Sequence, residues 1–180
     1  MEMSLNSKYN QIIKILKSGG IGVMPTDTLY GLVGSAFSKK AINRIYKIKN
    51  RDKKKKMIVL ISSIKDLEKF GIQHTNKLEF VGMLEKFWPG KVSIILNNTA
   101  FRLPAKKSLV EILKKTGPLV APSANPEGLK PAENIKKAKE YFGDNVDFYL
   151  SGGTLKSKPS ILIKINKKGE IEVLRGILKK

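Results

Sequence analysis

Cysteine is absent from the 180 residues, which excludes disulfides, thiolate metal sites and a cysteine nucleophile. Histidine occurs once, at position 74, in a polar stretch far from any serine motif. His74 therefore reads as a surface residue, and a Ser-His-Asp triad has little support. Long apolar runs are missing too: residues 57–61 and 92–96 are strand-sized and too short to cross a bilayer. The first residues carry no apolar core behind a basic start, so a cytoplasmic protein without a membrane partner is expected. Neither a GxxxxGKS/T loop nor a GxSxG elbow is present, which removes an ordinary P-loop site and a hydrolase nucleophile. No internal repeat and no linker rich in Gly, Ser or Pro divides the chain, so one domain over residues 1–180 is expected.

Acidic residues are scarce, 15 against 35 Lys and Arg, and the formal net charge is +20. Such a balance suits polyanions, RNA or nucleotides among them. The cations are scattered from Lys8 to Lys180, however, which favours a lysine-rich composition as their main source. Scattered charge binds anions weakly and is screened by salt. Arginine is the scarcer cation, present only at positions 44, 51, 102 and 175. A chain that writes nearly every cation as lysine keeps arginine where a planar fork must grip carboxylate or phosphate. Arg44 falls mid-helix and reads as a product of composition; the other three stand apart.

Leu5, Tyr9, Ile12, Ile13 and Leu16 recur at helical spacing until Gly19-Gly20 stops them. Residues 21–25 read as a buried strand ending at a proline. Ser38 caps a second helix reaching Lys49, whose Ala41, Ile42, Ile45 and Ile48 form an apolar stripe. Residues 57–62 read as a strand and 64–70 as helical, and a helix carrying Leu78, Val81, Leu84 and Phe87 precedes Trp88-Pro89-Gly90. A strand at 92–97, extended runs at 101–104 and 118–122, and helices at 109–115 and 132–142 follow. Strands at 146–150, 161–165 and 171–175 complete the pattern, the last two joined by a turn at 167–169. This is the alternation of a mixed α/β domain.

Three pieces carry chemistry. Pro25-Thr26-Asp27-Thr28-Leu29-Tyr30-Gly31-Leu32 places two hydroxyls and a carboxylate at the end of a buried strand, where α/β sheets commonly bind ligands. A simple turn of short polar residues would also explain Thr26 and Asp27. Lys49 and Arg51, with Lys53 to Lys56, put six cations within eight residues. They suit the negative end of the preceding helix, and equally a triphosphate, which needs neutralised charge but no protein nucleophile. In Ala121-Pro122-Ser123-Ala124-Asn125-Pro126, two prolines fix a turn and leave the Ser123 hydroxyl and Asn125 amide free for a ligand or for their own backbone.

These pieces, with Phe87-Trp88-Pro89-Gly90, Arg102-Leu103-Pro104 and Leu174-Arg175-Gly176, occur in one order. In that order they resemble the YrdC/Sua5 family from about Gly20 to Gly176. The resemblance implies a single YrdC-like α/β domain, with a curved mixed β-sheet flanked by helices around a basic cavity. It also implies an L-threonylcarbamoyladenylate synthase, a nucleotidyltransferase joining ATP, L-threonine and bicarbonate or CO2 into threonylcarbamoyl-AMP and pyrophosphate. The product would serve threonylcarbamoyl modification of the tRNA adenosine beside the anticodon, through a tRNA threonylcarbamoyl-transfer complex. Carried over by position, Lys49, Arg51 and Arg175 clamp the nucleotide, and Lys55 faces the carboxylate or carbamate. Lys49, Arg51 and Lys55 are then the catalytic residues. Thr26, Arg102, Ser123 and Ser160, with Lys55, hold threonine; Asn125 and Ser93 reach the nucleotide.

Mg²⁺ is expected with ATP, without a protein carboxylate cluster to hold it. tRNA or double-stranded RNA is the expected partner of the basic surface, and an RNA-binding module with little synthase activity is the alternative. A carbamoyl-transferring relative of hydrogenase-maturation proteins is a third reading, against which the missing acylphosphatase-like and zinc-finger segments argue. Lys91 and Asp52 stand where the family has proline, Ile161 where it has threonine, and residues 127–131 lack a usual serine. The end at Lys180 fits the short YrdC-like form.

Overall fold

The computed structural model describes residues 5–73, 75, 77–166 and 170–178; His74 and the expected turn at 167–169 lie outside them. Among the described residues, nine strands form one mixed sheet. They are β1 (Ile21–Pro25), β2 (Tyr30–Ser35), β3 (Val59–Leu60), β4 (Val92–Leu96), β5 (Thr99–Arg102), β6 (Leu119–Val120), β7 (Phe148–Tyr149), β8 (Ile161–Ile165) and β9 (Ile171–Arg175). Their order across the sheet is β7-β1-β2-β6-β3-β5-β4-β8-β9. The β1–β7, β3–β5 and β4–β8 pairs are parallel and the other neighbours antiparallel.

Helices α1 (Leu5–Lys17), α2 (Lys39–Lys49), α3 (Leu78–Glu85), α4 (Lys107–Thr116) and α5 (Ile135–Phe142) accompany the sheet. Successive strand residues point to opposite faces, and both faces are covered at the central strands, whereas the edge strand β9 is exposed throughout. Val23, Leu32, Val59 and Val120 pack in the core that contains Ala41 and Ile45 of α2. Their neighbours Met24, Val33, Leu60 and Leu119 pack with α1 and α4 through Leu16, Leu109 and Leu113. This two-sided burial is why the central strands read as continuous apolar runs rather than alternating ones.

Helix α2 positions the basic loop. The Ser38 hydroxyl accepts from the Ala41 amide at its start, and Asn50 at its end adopts a left-handed conformation (φ 49°) that a short polar side chain tolerates. Ala41, Ile45 and Lys49 lie four residues apart, on one face, and all three are buried. Arg44 is more than a product of composition: it donates to Asp147 Oδ2 at 2.6 Å and to the Asn145 carbonyl at 2.8 Å. Asp147 also accepts the Ile21 amide at 2.7 Å, so the cluster clips α2 to the start of β1.

Four expectations change. Strand β2 is unanticipated, because two glycines weaken its strand signal; Gly34 is required since a Cβ there would lie 3.0–3.2 Å from Ile21, Ala41 and Ile45. The strand expected over 57–62 contracts to Val59–Leu60, while residues 64–70 are helical as expected, in a 3-10 helix. Helix α5 starts at Ile135, where Asn134 caps it by accepting from Lys137, instead of at 132. Helix α3 ends at Glu85, short of Phe87, and Leu78 points into solvent.

Candidate active site

Strand ends converge on one cavity. Thr26 and Thr28 follow β1, Arg102 ends β5, Ser123 follows β6, Ser160 precedes β8 and Arg175 ends β9. All six line an inner cavity of about 110 Å³. Ser123 is brought there because its loop pairs with β2: the Leu32 amide donates to Pro122 and the Ala124 amide to Tyr30. Gly31 leaves room for Thr26 at the cavity wall, since a Cβ at this position would lie 3.1 Å from Thr26 Cγ2. The buried Tyr30 hydroxyl accepts from the Gly152 amide and donates to the Gly153 carbonyl, anchoring the segment that carries Ser160.

An outer cavity of about 490 Å³ adjoins the first and shares Ile58, Ser123 and Arg175 with it. Arg51, Lys54 and Lys56 also line it. Among the described residues no carboxylate lines either cavity, and no group of three His, Cys, Asp or Glu could hold a metal. Burial pushes the Arg175 guanidinium below its usual range, and repulsion from Arg51 adds to this. Burial lowers Arg102 as well; Asp27 opposes the shift and Arg175 reinforces it. Arg102, Arg175 and Arg51 thus form a row of like charges that an anion would relieve.

Other expected site residues stand behind these walls. Lys49, 2 % exposed, donates its ammonium hydrogens to the carbonyls of Ser123 and Asn125. Asn125 accepts the Ser123 hydroxyl at 2.6 Å and donates to the carbonyls of Pro126 and Leu129. Ser93 is fully buried, with its hydroxyl 2.9 Å from that of Ser160. Ser160 in turn accepts from Arg175, through its hydroxyl at 3.2 Å and its carbonyl at 3.1 Å. Lys55 is exposed and pairs with Glu127. Arg51 donates to the Lys55 carbonyl at 2.9 Å while facing the outer cavity.

A family model covering Sua5, YciO and YrdC proteins, described as telomere recombination, matches residues 14–176. The chain belongs to that family. It is 28% identical over 167 residues to a threonylcarbamoyl-AMP synthase of Cellvibrio japonicus, covering 84% of this chain and 87% of the relative. A threonylcarbamoyl-AMP synthase of Saccharophagus degradans is also 28% identical, over 86% of this chain and 88% of its own. The fold matches that of Pyrococcus abyssi Sua5 complexed with L-threonine, with a TM-score of 0.84 at 24% identity over 97% of this chain. The chain spans 55% of that Sua5 chain.

Within the family's motifs, the structure separates wall from support. Thr26, Arg51, Arg102, Ser123, Ser160 and Arg175, which the resemblance assigned to ligands, line the cavities. Lys49, Ser93, Asn125 and Lys55, also assigned to ligands by the resemblance, line neither cavity. Each of these side chains is bonded to protein instead: Lys49 and Asn125 to the 123–129 loop, Ser93 to Ser160 and Lys55 to Glu127. For Lys49 the signal was legible, since it continues the buried Ala41–Ile45 row. For Ser93 and Lys55 it was not, because their partners lie 67 and 72 residues away. Asp27, read from sequence as a pocket or turn carboxylate, pairs with Arg102, and Glu127, given no role from sequence, pairs with Lys55.

Burial pushes the Lys49 amine down to about 8, with repulsion from Arg51 adding to it and Glu127 opposing. The folded-state value lies below the free value of 10.5, so the folded protein loses this proton first as pH rises. The cost of burying the charge is fully present below about pH 8 and disappears between about pH 8 and 10.5. Unfolding free energy should therefore gain up to about 3 kcal/mol from this group across that window. Chemical denaturation of wild type and Lys49→Met over a pH series checks it; equal slopes in the two proteins would contradict it.

Proposed function

We propose that this chain is a threonylcarbamoyl-AMP synthase that holds L-threonine in the inner cavity and the ATP phosphates in the outer one. The observation carrying the reading is the pair of adjoining cavities, joined at Ser123 and Arg175 and walled by cations without a lining carboxylate. The small cavity suits an amino acid, with the Arg102 guanidinium as partner for its carboxylate and Thr26 and Ser123 hydroxyls for its polar groups. The larger one suits a triphosphate, against Arg51, Arg175, Lys54 and Lys56. Catalytic assistance comes from Arg51 and Arg175 at the phosphates; Lys49 and Asn125 shape the turn that presents Ser123.

The threonine amine adds to CO2, derived from bicarbonate, and releases a proton. The resulting carbamate oxygen attacks the α-phosphorus, the bond to the β-phosphate oxygen breaks, and pyrophosphate leaves. Carbamate is itself nucleophilic, so the protein has to orient two anions rather than supply a reactive side chain. A shared wall between the two cavities supports that task. Mg²⁺ bound to ATP would neutralise phosphate charge; among the described residues the cavity walls offer it no carboxylate. The product feeds threonylcarbamoyl modification of tRNA, and a cytoplasmic location fits that role; among the described residues no helix is long and apolar enough to cross a membrane.

Incubation with ATP, labelled bicarbonate and each amino acid in turn tests the reading. Pyrophosphate and a labelled adenylate are expected with threonine and bicarbonate together, and with neither alone. Equal pyrophosphate release from ATP alone would instead indicate a nucleotide hydrolase. Absent adenylate with tight, salt-steep tRNA binding would point to an RNA-binding module.

A further inference from the structure

We infer that Asp27 is a positioning residue for the amino-acid half of the site, and that it acts through Arg102. Its substrate is taken from the synthase reading; its geometry comes from the fold. Thr26 and Thr28, on either side of Asp27, line the inner cavity, whereas Asp27 does not. Its carboxylate lies behind the wall, with the side chain 6% exposed against 4% for Arg102. Arg102 Nη2 stands 3.0 Å from Asp27 Oδ1 and 3.5 Å from Thr26 Oγ1.

The contact is an ion pair of poor hydrogen-bond alignment: both Asp27 oxygens and Arg102 Nε lack a well-aligned partner, and all three atoms are sealed from solvent. The two side chains are therefore held by charge, at a depth where the local dielectric makes such attraction strong. Arg102 ends β5 and faces the cavity while one of its amino groups is anchored behind it. Asp27 thus sets the plane of the guanidinium that a substrate carboxylate would meet. The surrounding cations make that anchor necessary, because Arg175 repels Arg102 and Lys106 at the start of α4 feels the same carboxylate. Without the Asp27 charge, Arg102 has only a long contact to Thr26 to hold it against that repulsion.

The test is a double-mutant cycle of Asp27→Asn and Arg102→Met in the full chain. It is read by kcat and KM for threonine-dependent pyrophosphate release and by melting temperature. Asp27→Asn should lower kcat roughly 10- to 100-fold, the scale of a misplaced reactant, while KM for ATP stays unchanged. In the Arg102→Met background the same change should alter the residual kcat by less than about twofold, because its route of action is gone. Each single variant should melt lower than wild type, and the double variant above both, since it removes both buried charges. Equal fold-losses in the two backgrounds, or wild-type kcat in Asp27→Asn, would overturn the inference. Should Asp27→Asn fail to fold, the double variant decides: folding restored supports the pair, and folding not restored overturns it. Wild-type protein without threonine-dependent release would sink the synthase reading, and the melting cycle would then decide the coupling alone.

Discussion

Arg102→Met is expected to lose about 3 kcal/mol of stability together with most of the protein's apparent affinity for threonine. The two losses have one origin. Neither Asp27 oxygen has a well-aligned hydrogen bond or contact with solvent, so the Arg102 charge is its main compensation. Removing one member of a buried pair leaves the other charged group unsolvated, which is costlier than removing both. Lys106 lies near enough to feel the carboxylate, which places the expected cost at the lower end of that class. The same guanidinium is the fork proposed for the threonine carboxylate, and losing a charge-assisted contact should raise KM for threonine roughly 10- to 100-fold. Urea unfolding and steady-state kinetics measure the two effects separately. A variant as stable as wild type would mean that Asp27 finds its compensation elsewhere.

Arg175→Gln should move stability and activity in opposite directions. Among the described residues Arg175 is held by Ser160, through a hydroxyl and a carbonyl, and pairs with no carboxylate. Its charge is opposed by Arg51 on one side and weighs on Arg102 on the other. Glutamine removes that repulsion, so the melting temperature should hold or rise. The shared wall of the two cavities then lacks its cation, and KM for ATP should rise roughly 10- to 100-fold, equivalent to about 1.5–3 kcal/mol. A site built to bind an anion carries such unfavourable charge when empty. Lower stability with unchanged KM would show instead that Arg175 serves the fold by bracing Ser160.

Scarcity of arginine marked Arg51, Arg102 and Arg175 for a closer look but misjudged Arg44, whose fork grips Asp147 and the Asn145 carbonyl. Helical periodicity and the Ser38 cap located α2, and apolar runs located the central strands. These features depend on neighbours within a turn or two, or on the chemistry of one side chain, and can be read along the chain. Partnerships across the fold could not be read in the same way. Whether Ser93 would face a nucleotide or back Ser160 depends on β4 lying parallel to β8, a pairing between segments 67 residues apart. Whether Lys55 would be free depended on Glu127 arriving beside it, and the role of Arg44 on Asp147. The residue types able to hold anions were determined locally; tertiary structure decided which of them face the cavities and which brace the wall. The physical reason is that charge and hydrogen-bond capacity belong to the side chain, while burial and partner belong to the packing of distant strands.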